Sequence, residues 1–325
     1  MKTYIELFYR IKPFIPRRLQ ISLRRVIAFH KLKTNKDTWP INLKAAKEPE
    51  GWTGWPGKKK FALILSHDVD TANGYKKCTK LMELEEHLGF RSSFNFVLED
   101  YRVSAKLRWN LTEEGFEVGV HGLKHDGKLF KSRKIFEERA PLINQYLKDW
   151  EAVGFRAPSM HHNLEWISEL DIEHDNSTFD TDPFEPQPDG IESIFPQWIT
   201  NKSQTRGYVE LPYTLPQDHC LFVILKEKDT RIWKEKLDWI VQNGGLALLN
   251  THPDYMNFNG DRCPLEEYPI SHYKVFLEYI KTRYSGQYWH VLPRELARFW
   301  KKEQNSECKN MVDPDNTPPD ATEFK

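Results

Sequence analysis

The stretch FALILSHDVD, residues 61–70, sets five apolar residues against a polar end that carries two acids. A short, continuously apolar run reads as a strand buried on both faces, the kind found in parallel sheets. Side chains alternate along a strand, so Asp68 and Asp70 share one face and Val69 turns to the other. Two carboxylates in one site push one pKa up unless a cation separates their roles. A turn or helix-capping acid accounts for one Asp here, since DTANG (70–74) follows. Two acids on one face suggest a metal held by one of them.

The pattern recurs. Apolar runs stand at FALIL (61–65), SSFNFV (92–97), FEVGV (116–120), VELPY (209–213), LFVIL (221–225), LALLN (246–250) and HVL (290–292). Helical periodicity fills 75–88, 132–150, 230–242 and 271–284 between them. Alternating strands and helices predict an α/β fold of β/α units, a parallel sheet or barrel. In such barrels functional residues follow the C-terminal strand ends. After FEVGV comes HGLKHDG, which places His121 and His125 four apart on one side of a turn. After EAVGF (151–155) comes RAPS, with Arg156 available to hold a carboxylate ionised. After LALLN comes THPDY, with His252 at the strand end. Surface histidines and a solvent-facing arginine are the bland readings of each motif alone. Together, Asp70, His121 and His125 offer one carboxylate and two imidazoles, a three-ligand set with open positions. Asp68 and His252 remain as a base and an acid, the parts of a metal-dependent hydrolase.

The ordered sequence SHDVD, HGLKH, GFRAPS, DNSTF, NTHPDY over residues 57–300 resembles the polysaccharide deacetylase (NodB-homology) family of carbohydrate esterases. The resemblance implies a distorted, incomplete (β/α) barrel, a divalent metal with zinc first, and hydrolysis of a sugar acetamide. It implies Asp68 as base, Asp70, His121 and His125 as metal ligands, Arg156 as the residue tuning the base, and His252 as acid. It further implies an oxyanion donor at the backbone N–H of Ser159 and an aromatic groove wall at Phe179. The chain departs from the common pattern at four points. Val69 separates the first two acids, as in the Asp-Val-Asp branch, whose members include amidase-like enzymes acting on smaller substrates. Ser159 stands where an aromatic often does. Asp175 or Asp180 replaces an acid expected near Thr178 to steady the histidine. Asn250 stands where an apolar residue lines the acetyl pocket.

Composition bounds the rest. The 325 residues include 39% apolar and 29% charged side chains, enough for a core and for solubility. Formal net charge is zero, so no global field favours nucleic acid. Cys78, Cys220, Cys263 and Cys308 are scattered and read as reduced thiols of an intracellular protein. No run of about 18 apolar residues predicts a membrane span. The N-terminal apolar stretches are broken by Arg10, Lys12, Arg17 and Arg18, unlike a secretory signal. These readings predict a cytoplasmic protein.

Residues 1–55 form a basic segment with Tyr4, Leu7, Phe8 and Ile11, then Leu19, Ile21, Leu23 and Ile27, at helical spacing around Pro13 and Pro16. Residues 1–35 then either lie on the inner membrane face or cover the barrel. EPEGWTGWPGKKK (48–60) reads as a connector, 56–302 as the barrel, and 303–325 as a disordered tail. Three functions follow as expectations. The first is deacetylation of a cytoplasmic glycan or glycolipid precursor. The second is hydrolysis of a small amide or cyclic imide. The third is sugar binding without catalysis on the same fold.

Overall fold

The computed structural model describes residues 16–203, 206–260 and 262–310. The helix expected over Tyr4–Ile11 lies outside them, as do residues 311–325 of the expected tail.

Strand β1 (Phe61–Val69) is buried along its whole length and organises the sheet. It pairs in parallel with three strands: β2 (Ser93–Phe96), β8 (Leu246–Thr251) and β11 (Tyr288–His290). The β11 ladder uses Phe61–Leu63 and the β2 ladder uses Ser66–Val69, so those two share one edge of β1 and β8 takes the other. From β2 the sheet runs through β3 (Glu117–Val120), β4 (Gly154–Phe155), β5 (His174–Asp175) and β7 (Gly207–Glu210), with β6 (Gln197–Thr200) antiparallel at the edge. A separate two-stranded pair joins β9 (Met256–Asn257) and β10 (Tyr268–Pro269).

Among the described residues the ring closes at the isolated bridge Leu215 to Leu249, beside the bridge Phe179 to Tyr213 that extends the β5–β7 pairing. Pro212 and Pro216 bracket that seam and lack the N–H a ladder needs. The Thr214 hydroxyl substitutes, donating to Leu246 O (2.7 Å) and accepting from Leu248 N (3.0 Å). The result is the distorted, incomplete (β/α) barrel expected from the motif order.

Helices follow the strands: α2 (Ala72–Tyr75) and α3 (Cys78–Leu88) after β1, α4 (Ala105–Glu113) after β2, α5 (Arg133–Trp150) after β3, then α6 (Leu164–Ile167), α7 (Arg231–Gln242), α8 (Ile270–Arg283) and α9 (Pro293–Asn310). The run LFVIL is not a strand. It lies in a buried π-helical turn, His219–Ile224. Periodicity cannot separate a short buried helix from a buried strand, and this one starts one residue after Asp218, directly behind the seam. Helix α9 passes residue 302, where the barrel was expected to end, and runs to Asn310. No Pro or Gly interrupts its sequence.

The tryptophan-rich connector packs as core. Trp52 and Trp55 meet edge to face at 4.7 Å and contact Phe299 and Trp300 of α9. This aromatic plug seals the end of the barrel where β1 begins. Helix α1 (Arg17–Thr34) buries Ile21 and Ala28, while Leu19, Leu23 and Ile27, which share its periodic stripe, face outward.

Candidate active site

Asp68 sits on β1 opposite Asn95 of β2, and Ser66 opposite Asn250 of β8. Both neighbouring strands therefore aim an amide at the same carboxylate. Asn95 Nδ2 donates to Asp68 Oδ1 (3.1 Å) and Asn250 Nδ2 to Oδ2 (2.9 Å). The Arg156 guanidinium adds a donor to Oδ1 at 3.2 Å. Gly119 makes room: a Cβ there would stand 2.2 Å from Asn95 Oδ1. Burial alone would raise the Asp68 pKa, but Arg156, with His121 and His252 nearby, holds it below the usual carboxylate range. Asp68 is thus a buried, ionised and orientated acceptor.

Asp70 lies just beyond the strand and meets a different set. Its Oδ1 stands 3.4 Å from Nε2 of His121 and 3.4 Å from Nε2 of His125. That oxygen is buried and has no hydrogen-bond partner. His121 Nδ1 donates to the Arg156 carbonyl (3.0 Å), which fixes its tautomer and turns the Nε2 lone pair toward Asp70. His125 is held by its backbone N–H on Asp100 Oδ2 (2.7 Å). Among the described residues these three form the group able to hold a metal, with ligand atoms within 4.8 Å of one another. Ligands ~2.0–2.1 Å from a shared tetrahedral centre stand about 3.4 Å apart, so the donor set fits a divalent cation such as zinc. Burial raises the Asp70 carboxyl, and the two imidazoles reverse that and leave it ionised.

His252 follows β8. Its Nδ1 donates to Asp218 Oδ1 (2.7 Å), and its backbone N–H donates to Asp218 Oδ2 (2.9 Å). The Tyr268 hydroxyl donates to the same Oδ2 (2.9 Å). Burial disfavours the imidazolium, but Asp218, then Asp70 and Asp68, push the His252 pKa up to about 10.

Asp218 is therefore the acid that steadies the histidine. Asp175 and Asp180 are not. Asp175 binds Ser177 Oγ (2.7 Å), and Asp180 pairs with the buried Lys236 (2.5 Å). Phe179 lies in the core against Tyr213 and is only 2% exposed, so it forms no open groove wall. Asn250 is fully buried and spends its amide on Asp68. Ser159 is half-buried, and it and Met160 both adopt positive φ (56° and 53°). Backbone strain of this kind collects at functional sites.

The loop is held there by Gly122 (φ 69°), where a Cβ would meet the Pro158 ring at 2.6 Å. Gly122→Ala is expected to destabilise the protein by roughly 1–3 kcal/mol, read from denaturant midpoints; an unchanged midpoint would show that the His121 and Ser159 loops are not locked together.

Sequence reading missed Asn95, Asp218 and Asp254. Asp254 accepts from Asp70 N (3.0 Å), Thr71 Oγ1 (2.5 Å) and Gly74 N (3.2 Å), tying the end of β1 to that of β8. The signal for Asn95 is one amide set between two phenylalanines of a buried strand. The histidine of SHDVD turns away from the site: His67 is buried between Thr251 Oγ1 (2.7 Å) and Glu85 Oε1 (2.8 Å).

No family model and no curated protein matches the sequence. Solved structures do match the fold. An allantoinase aligns over 81% of this chain and 98% of its own at 15% identity and TM-score 0.60. A protein from Pseudomonas aeruginosa PAO1 assigned as a polysaccharide deacetylase aligns over 77% and 93% at 13% identity and TM-score 0.58. Another with that assignment, from Mycobacterium smegmatis, aligns over 84% and 99% at 13% identity and TM-score 0.57. With their incomplete barrel built around one three-way-paired strand, these residues have the fold of the polysaccharide deacetylases.

Proposed function

We propose that the chain is a metal-dependent hydrolase that cleaves the C–N bond of an acylated amine, with the acetamide of an N-acetylated sugar as first substrate. One observation carries the reading. The two acids of SHDVD have separate partners: Asp68 takes amides and a guanidinium, while Asp70 takes two imidazoles. When bound at Asp70, His121 and His125, a divalent cation, zinc first, would supply Lewis acidity toward a carbonyl and a water.

The chain's own groups do the proton work. Asp68, kept ionised by Arg156, accepts the proton from the attacking water. The backbone N–H of Ser159 would donate to the developing oxyanion. His252, held as imidazolium by Asp218, donates its Nε2 proton to the leaving nitrogen as the C–N bond breaks. The products are a free amine and a carboxylate, acetate in the first instance.

The likeness to an allantoinase favours a second reading, ring opening of a small cyclic amide by the same groups. Acetate release from N-acetylhexosamine compounds against ring opening of cyclic ureides and imides separates the two. Activity on neither class, in protein with metal bound, would leave sugar binding without catalysis.

Metal content comes first. Purified wild type is expected to hold about one divalent ion per chain, and His121→Ala far less, because binding energy is lost with each ligand. Equal metal in both proteins, or none after zinc addition, would overturn the reading.

A further inference from the structure

Ten large apolar side chains stand exposed among the described residues, and five of them lie on the single helix α1. Leu19, Leu23, Val26 and Ile27 fall at i, i+4, i+7 and i+8, one continuous outward stripe, and Phe29 widens it. Val26 is 68% exposed and Leu19 59%, too much for residues that serve only the core beneath. Charge accompanies the stripe. Residues 1–33 hold nine Arg and Lys and one acid, Glu6, in a chain whose 47 basic and 47 acidic residues balance over its whole length. The rest of the chain is therefore net acidic, and a negative surface would attract this segment while repelling the barrel.

The buried side of α1 leads to the site. Ala28 joins the core cluster that holds Cys220–Leu225, and Arg25 Nη2 donates to Val223 O (3.0 Å). That π-helical turn begins one residue after Asp218, the partner of His252. No described helix is long and apolar enough to cross a membrane.

We infer that α1 seats its apolar stripe on an anionic bilayer and so brings the barrel rim carrying His252 to the headgroup layer. An amphipathic helix with basic flanks binds such a surface by burying its apolar side chains while its cations meet lipid phosphates. A second basic segment, residues 1–15 of this chain included, lacks that charge complementarity. As to substrate, the inference rests on the hydrolase reading above: it selects an acylated sugar carried on a lipid at the cytoplasmic membrane face.

The test is co-sedimentation of the full chain with vesicles of phosphatidylcholine, with or without about a third phosphatidylglycerol. Wild type is expected to sediment with the anionic vesicles and to come off in high salt. Val26→Glu/Ile27→Glu is expected to bind about tenfold more weakly or worse, with an unchanged thermal melt. His121→Ala, which impairs only the proposed chemistry, is expected to bind as wild type, so loss of turnover and loss of membrane binding are read separately. Wild type that ignores anionic vesicles, or a double variant that binds equally well, overturns the inference. So does a wild-type dimer in gel filtration that the double variant converts to monomer, since a second copy then owns the face.

Discussion

Asp68→Asn is expected to lower kcat by about 10²–10⁴-fold while the protein keeps its metal. Asp70→Asn is expected to lose the metal. The two residues lie two apart on one strand face, so proximity alone predicts that either change would do the same damage. The structure separates them. Among the described residues Asp68 accepts from Arg156, Asn95 and Asn250, all donors fixed by neighbouring elements. An asparagine fits that space but cannot take a proton, and one of its termini presents N–H groups to donors. Asp70 Oδ1 faces two imidazole Nε2 atoms and has no hydrogen-bond partner among the described residues. Metal analysis beside steady-state kinetics on both variants decides the matter. Metal loss in Asp68→Asn would mean that both acids are ligands and that the base lies elsewhere.

Much of this site was legible because strand chemistry is local. A continuous apolar run ending in acids announces a buried strand with polar chemistry at its C-terminal end, and alternation puts Asp68 and Asp70 on one face. The separation HGLKH similarly puts His121 and His125 on one turn. Residues that reach the site from other elements were harder to see. Asp218 follows Pro216 in an irregular seam, and no periodicity says that it will face His252, 34 residues away. Asn95 needed the β1–β2 register, which places it opposite Asp68, and its side chain has room there because Gly119 of β3 carries no Cβ. Phe179 shows the reverse error. A motif places a residue near a site but does not say whether its side chain is spent in the core, as this one is.

The fold shows the same division. Helices with strong apolar periodicity, such as α5 and α7, stand where the pattern put them. The π-helical turn does not, since five apolar residues in a row carry no period to read. Helix α1 was legible as a helix, but its most regular apolar stripe faces solvent and not the barrel. Core packing cannot account for such a stripe; a partner surface can.

Asp218→Asn is expected to cost about 10²–10⁴-fold in kcat and to move the alkaline limb of the pH–rate profile toward neutrality. The carboxylate accepts from His252 Nδ1, from its backbone N–H and from Tyr268, so it fixes both the ring's orientation and its charge. In the metal-free chain His252 is pushed up to about 10, well above its ordinary value near 6.5. A raised histidine contributes stability that is fully present below its unfolded pKa and is lost as pH rises through the folded one. Wild-type stability should therefore fall between about pH 6.5 and pH 10 relative to Asp218→Asn, whose histidine has lost its main stabilising charge. A cation at Asp70 pulls the imidazolium pKa down, so the two proteins must be compared in the same metal state. Thermal melts across that range without metal, and pH–rate profiles with it, measure the two consequences independently. Identical alkaline limbs in both proteins would show that His252 does not donate the proton, and the role of acid would pass to another group on the same rim.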